Sequence, residues 1–310
     1  MALRYREKVL LAGIETTYGI DPTLTGVANA IYAHDISIQP MQGQDVDRGH
    51  ETPWLGNAAM IPADLHMVMT FKVELVPSGT AGTVPGWGPL MRACGVAETI
   101  VVGTSVTYNP VTDGHESATI TLNIAGILYK LIGARGNCEV VKNASGIPQL
   151  EFTFTGLWTK PVDQAKPTPD YSAFQAPLVV SKVNTPTLTI DGASFVGRNF
   201  KLAMGNQVEG RFLIGAEEIV IVDRAETLEM QIEATPIATF DPYAAARDGT
   251  ALAVQIVHGT QAGAIATLAV PQAQMQRPDS PTEAQGIVEW PLRMLPLPDT
   301  GNDQWTLTLT

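Results

Sequence analysis

This sequence predicts a mainly β protein in which one β-domain occurs twice, each copy carrying a short helix. Three observations predict it. Short runs of alternating apolar and polar residues recur along the chain, 28 Gly and 22 Pro break 310 residues into such runs, and two stretches read alike in the same order. Residues 119–126 and 150–154 are echoed by residues 252–259 and 288–292.

The correspondence extends upstream. Alternating residues 35–40, a long polar loop and residues 69–75 are matched by residues 199–202, a loop and residues 228–233. In both halves the last of these strands leads to a helix-like segment. The first spans residues 87–95, with Pro89 near its start and Gly95 as a stop. The second spans residues 241–249, with Asp241 as N-cap, Pro242 in the first turn and Gly249 as C-cap. Each half therefore reads strand, loop, strand, helix, strand, strand, strand.

Composition sets limits on class. At 45% hydrophobic and 16% charged, the chain is globular, and its length suits two domains of roughly 130 to 150 residues. No apolar run approaches the roughly 20 residues that cross a bilayer, so neither secretion nor membrane insertion is expected. The net charge of -12 is shared between the halves, with 14 acids against 9 bases in residues 1–156 and 15 against 7 in residues 183–310. Neither half carries a basic patch. Tight nucleic-acid binding draws its affinity from Lys and Arg on phosphates, so it is not expected.

Signals for chemistry are sparse. Cys94 and Cys138 are far apart in sequence, with no second Cys or His at metal-ligand spacing, and read as buried thiols. His34, His50, His66, His115 and His258 are isolated from one another. Asp45-Val46-Asp47 continues toward no calcium-loop pattern and reads as a solvated loop. The Gly-rich run 79–88 lacks the Lys-Ser/Thr of a phosphate loop and reads as a turn before a helix. Asn143-Ala144-Ser145 reads as a hairpin turn. No nucleophile is nominated with a base, so no enzyme, metal or cofactor is expected.

Residues 8–22, Lys8-Val9-Leu10-Leu11-Ala12-Gly13-Ile14-Glu15-Thr16-Thr17-Tyr18-Gly19-Ile20-Asp21-Pro22, carry a resemblance, as do residues 79–82, 87–95 and 152–157. Together these phrases resemble the major tail tube proteins of long, non-contractile-tailed bacteriophages. The likeness covers nearly the whole chain and is weaker in the second half. It implies a β-sandwich or barrel-like tube domain with a flanking helix, assembled into rings that stack into a hollow tail through which DNA passes without specific binding. It also implies a virion location after assembly in the host cytoplasm, with tape measure, tail terminator and distal tail proteins as partners. Such rings commonly close from six tube domains, and a chain holding two needs only three copies. A head-to-tail contact that closes a ring, followed by open-ended stacking, is the symmetry such a tube requires.

On this reading residues 1–156 form a first tube domain with an N-terminal arm, residues 157–186 a Pro-rich linker, and residues 187–310 a second tube domain. Trp158, Tyr171 and Phe174 are expected to pack the linker against a surface. Residues 41–67 are too long for a tight hairpin and suit a loop reaching the next ring, with Asp45, Asp47, Arg48, His50, Glu51 and Trp54 as its candidate contact residues. The shared carboxylates predict an acidic lumen. An alternative is a two-domain β-sandwich adhesin or carbohydrate-binding module. A third reading is a hydrolase assembled from residues such as Asp64 and His66.

Overall fold

The computed structural model describes residues 3–310. The first half contains β1 (Lys8–Ile14), the one-turn helix α1 (Gly26–Asn29), β2 (Ala30–Ile31), β3 (Ala33–Asp47), β4 (Met60–Glu74), α2 (Gly88–Arg92), β5 (Val96–Val101), β6 (Ser105–Pro110), β7 (Ala118–Ile124), β8 (Ile127–Asn143) and β9 (Gln149–Leu157). A two-residue strand β10 (Val162–Asp163) and an extended segment follow. The second half contains β11 (Thr187–Ile190), β12 (Ala193–Ser194), β13 (Gly197–Ala203), β14 (Asn206–Leu213), β15 (Ala216–Arg224), β16 (Thr227–Glu233), α3 (Pro242–Asp248), β17 (Ala251–His258), β18 (Ala266–Met275), β19 (Thr282–Ala284), β20 (Ile287–Pro296) and β21 (Thr306–Leu309).

The repeated order of elements is also a repeated order of hydrogen-bonded neighbours. In the first half, antiparallel pairing runs β1, β7, β8, β9, β4, β3. In the second it runs β11, β17, β18, β20, β16, β13. With residues 69–74 set against 228–233, register sets residues 150–154 against 290–294, because Val73 faces Leu150 where Ile232 faces Trp290. The sequence matches at 228–233 and 288–292 are therefore out of step with each other by two. A two-residue slip leaves every side chain on the same face, so alternation cannot reveal it.

Local chemistry sets the helix ends. Asp241 Oδ1 accepts from the amides of Tyr243 and Ala244 at 3.0 and 2.9 Å, and Gly249 ends α3 at φ 63, where a side chain is strained. α2 begins with Pro near its start and stops before Gly95 at φ 69. The hairpin β5–β6 follows α2 and has no counterpart after α3.

Each half is a sandwich because β8 and β18 serve two layers. β8 pairs first with β7 and then, past a register shift between Ile132 and Arg135, with β9. Between the layers lie Leu10, Ile120, Leu122 and Leu131 from one side and Met67, Met69, Phe71, Phe152 and Phe154 from the other, with Trp87, Leu90 and Met91 of the α2 region. Each large side chain so buried stabilises the fold by about 1.5–3 kcal/mol. The cluster continues into the second half through Phe200, Leu202, Met230 and Leu292. Two seams join the halves: β8 pairs with β13, from Asn143 opposite Asn199 to Glu139 opposite Ala203, and β6 pairs with β21.

Three sequence expectations are refined. The sheets form no closed barrel, so the sandwich half of the expected fold class is the one adopted. Among the described residues β3 pairs only with β4 and β19 only with β20, so each carries an open edge, as does β5, which pairs only with β6. Residues 41–67 are not one loop. Residues 41–47 and 60–67 extend β3 and β4 as a paired arm, and only residues 48–59 are unpaired. In residues 60–67 Ile61, Ala63 and Leu65 continue the apolar phase of Met67 and Met69, whereas residues 41–47 are mostly polar and show no alternation, although backbone ladder bonds need none. Residues 157–186 lie on the molecule: Trp158 and Phe174 pack against the core, and the Tyr171 ring packs tilted against that of Tyr32, with ring centres 4.7 Å apart.

Candidate functional site: assembly surfaces

One face of the joined sheet is rich in charged residues. Met67, Met69, Phe71 and Val73 of β4 are fully buried, so alternation turns Thr70, Lys72 and Glu74 to the opposite face. Glu151 of β9, Glu139 of β8, Lys201 of β13, and Glu229 and Glu233 of β16 share that face, with Arg293 of β20. Their charges pair across strands. Lys72 lies 3.1 Å from Glu151 and 3.9 Å from Asp35, Lys201 lies 2.8 Å from Glu139, and Arg293 lies 3.8 Å from Glu229. The hydrogen bond to Glu139 raises the Lys201 pKa, so this ammonium stays charged. Carboxylates of Asp35, Glu74, Glu139, Glu151, Glu229 and Glu233 outnumber the cations of Lys72, Lys201 and Arg293, and the face is acidic.

The phrase at residues 8–22 anchors this framework. Glu15 is buried, and its carboxylate accepts from the Gly133 and Gly19 amides at 2.8 and 2.7 Å and from the hydroxyls of Ser117 and Thr119 at 2.6 and 2.7 Å. Lys130 pairs with Asp21 at 2.6 Å. The Ile219 amide donates to the Tyr18 hydroxyl at 2.6 Å, which holds the hairpin β14–β15 against the first half. Arg135 supports the same contact, donating to the Ile219 carbonyl at 2.6 Å.

The arm built from β3 and β4 leaves the sheet beyond His66, which faces Leu157 at the end of β9. Six residues of β4, Met60–Leu65, then span about 20 Å at the usual rise of about 3.3 Å per residue. Asp45 and Asp47 lie on β3, opposite Pro62 and Met60, while Arg48, His50, Glu51 and Trp54 lie in the terminal loop. The structure thus gathers all six candidates on one exposed projection. Apolar side chains are exposed with them: Met41, Val46, Trp54, Leu55, Met60 and Ile61.

Asp64 and His66 form no acid–imidazole pair, because His66 Nδ1 lies 2.9 Å from the Asp64 backbone carbonyl and not from its carboxylate. Cys94 and Cys138 are buried, and burial raises both thiol pKa values well above the ordinary one. No group of side chains suited to a metal ion occurs among the described residues, and no helix is long and apolar enough to cross a membrane.

Sequence reasoning missed the acidic face, because it depends on which strands are neighbours. It also missed Lys142, which is fully buried at an apolar phase of β8 after Cys138 and Val140. That phase was the available signal.

No curated protein matches this sequence. The family model described as Phage tail tube protein matches residues 6–297, nearly the whole chain, and this chain belongs to that family as a structural component of a phage tail tube.

Proposed function

We propose that three copies close a ring of pseudo-sixfold symmetry, that rings stack into the hollow tail tube, and that DNA passes through an acidic lumen during ejection. The open edges of β3 and β19 carry this reading. Register makes β3 the counterpart of β13 and β19 the counterpart of the end of β8: Lys201 corresponds to Ser37, and Val141 to Thr282. Within one chain β8 and β13 are already joined. Repeating that seam between chains places Thr282 of one copy opposite Ser37 of the next, and after three copies no β3 or β19 edge is left open. Closure of this kind removes the exposed edges that invite aggregation.

The division into tube domains at residues 1–156 and 187–310, with 157–186 between them, belongs to the same proposal. So do assembly in the host cytoplasm and contacts with tape measure, tail terminator and distal tail proteins. The acidic sheet face becomes the inner wall, where excess carboxylates repel phosphates and let DNA slide. Asp45, Asp47, Arg48, His50, Glu51 and Trp54 become the inter-ring contact. Negative-stain microscopy and mass measurement of the purified protein test the reading: rings of three chains and tubes are expected, and six chains per ring would overturn it.

A further inference from the structure

Lys142 has no partner for its ammonium although the side chain is fully buried, and burial lowers its pKa to about 7. An uncompensated buried amine is costly, so a native chain that keeps one points to a group supplied from elsewhere. Lys142 lines a cavity of about 420 Å³ at the seam between the halves. Leu188, Phe195, Phe200 and Ile256 give that cavity an apolar lining, and Lys182 and Arg198 add cations, of which Arg198 is already paired with Glu289. Its lining continues outward through Val196, which is 62% exposed, with Val183, 73% exposed, next to Lys182 in the chain. The cavity therefore fits an apolar segment that carries a carboxylate.

This chain offers such a segment at the opposite end of its own strands. Glu51, Trp54 and Leu55 occupy the unpaired tip of the β3–β4 arm, with Trp54 74% and Leu55 103% exposed. The arm leaves the sheet where β9 ends, at Leu157. The cavity lies by the turn where β9 begins, since Val141 faces Gln149 and Lys142 and Ala144 both line it. Tip and cavity lie at opposite ends of the strands, so one chain cannot satisfy itself. Translation of a second copy along the strands brings them together.

We propose that the arm tip of one copy docks in this cavity of a copy in the adjoining ring, with Trp54 and Leu55 on the apolar lining and Glu51 as the counter-charge for Lys142. This rests on the stacked-ring reading above. The contact is head-to-tail and does not close on itself, which is the kind that propagates a tube.

Cysteine pairing tests it, because the native thiols are buried. Leu55 and Ser181 are both exposed, so Leu55→Cys with Ser181→Cys leaves the fold intact. Oxidised tubes of the double variant should run as a ladder of linked chains on a non-reducing gel, and neither single variant should. Trp54→Ala and Lys142→Met should each raise the protein concentration needed for tubes about tenfold or more, with rings retained. Tubes without cross-linking, or cross-linking by Ile214→Cys with Ser181→Cys in its place, would overturn the contact while leaving the ring reading intact. A wild-type chain that forms neither rings nor tubes would overturn that reading, and this contact with it.

Discussion

The Lys201 ammonium of the second half lies 2.8 Å from the Glu139 carboxylate of the first, on the polar side of the strand seam between β8 and β13. Both groups are partly exposed, so the pair contributes at most about 1 kcal/mol. Backbone pairing and the apolar row beneath it, Val140 opposite Leu202, hold the seam. The counterpart of Lys201 is Ser37, on an open edge. A seam that depends on ladder bonds more than on one ion pair can be repeated where the charges differ.

Directly opposed residues of an antiparallel pair have Cβ atoms about 4.5–5.5 Å apart. Ser37→Cys combined with Thr282→Cys should therefore cross-link assembled rings into covalent trimers under oxidation. Gel mobility and mass read the result. Linked dimers that never reach trimers would oppose a closed ring of three.

Lys142→Met should make the isolated chain more stable at neutral pH. The folded-state pKa of about 7 lies below the ordinary 10.5, so the unfolded chain binds more protons between these values and stability rises with pH across that window. His258, which bonds Thr185 at 2.8 Å, adds the same sign lower down. Burial, then the nearby Lys142 charge, lowers its pKa from 6.5 to about 4, so stability rises from pH 4 to 6.5. Denaturant unfolding of the monomeric chain at pH 7 and pH 10 should show the upper slope in the wild type and not in the variant. Opposite signs for monomer stability and tube assembly would mark a residue kept for contact with another copy.

Glu15→Ala should destabilise the fold by about 3 kcal/mol or more, because it strands buried hydroxyl and amide donors that a charged acceptor now satisfies. Glu15→Gln should cost less. Its amide still accepts, although its NH2 must then face another donor. Thermal unfolding compares the two, and equal midpoints for wild type and Glu15→Ala would remove Glu15 as the anchor of residues 8–22.

Glu151→Lys together with Glu229→Lys changes the acidic face to a basic one. Tubes of this variant should retain duplex DNA at low ionic strength and release it as salt rises, whereas wild-type tubes should not retain it. Retention by the wild type would contradict a repulsive inner wall.

Local order was legible in the sequence. Asp241, Pro242 and Gly249 set the ends of α3 through backbone bonds formed within a few residues, and the alternation of Met69, Phe71 and Val73 matched that of Leu228, Met230 and Ile232 because a pleat repeats every two residues. The shared order of elements followed from the same periodicities. Three features depended on neighbours distant in sequence and were settled only by the tertiary structure. Residues 41–47 became a strand because their backbone pairs with the start of β4, which polar side chains do not announce. The acidic face arose when β4, β9, β8, β13, β16 and β20 came to lie side by side. Lys142 lost its water because Phe200 and Ile256, far along the chain, line the same cavity. Periodicity is a property of one segment, whereas pairing, shared charge and desolvation belong to two, and long-range packing selects the second.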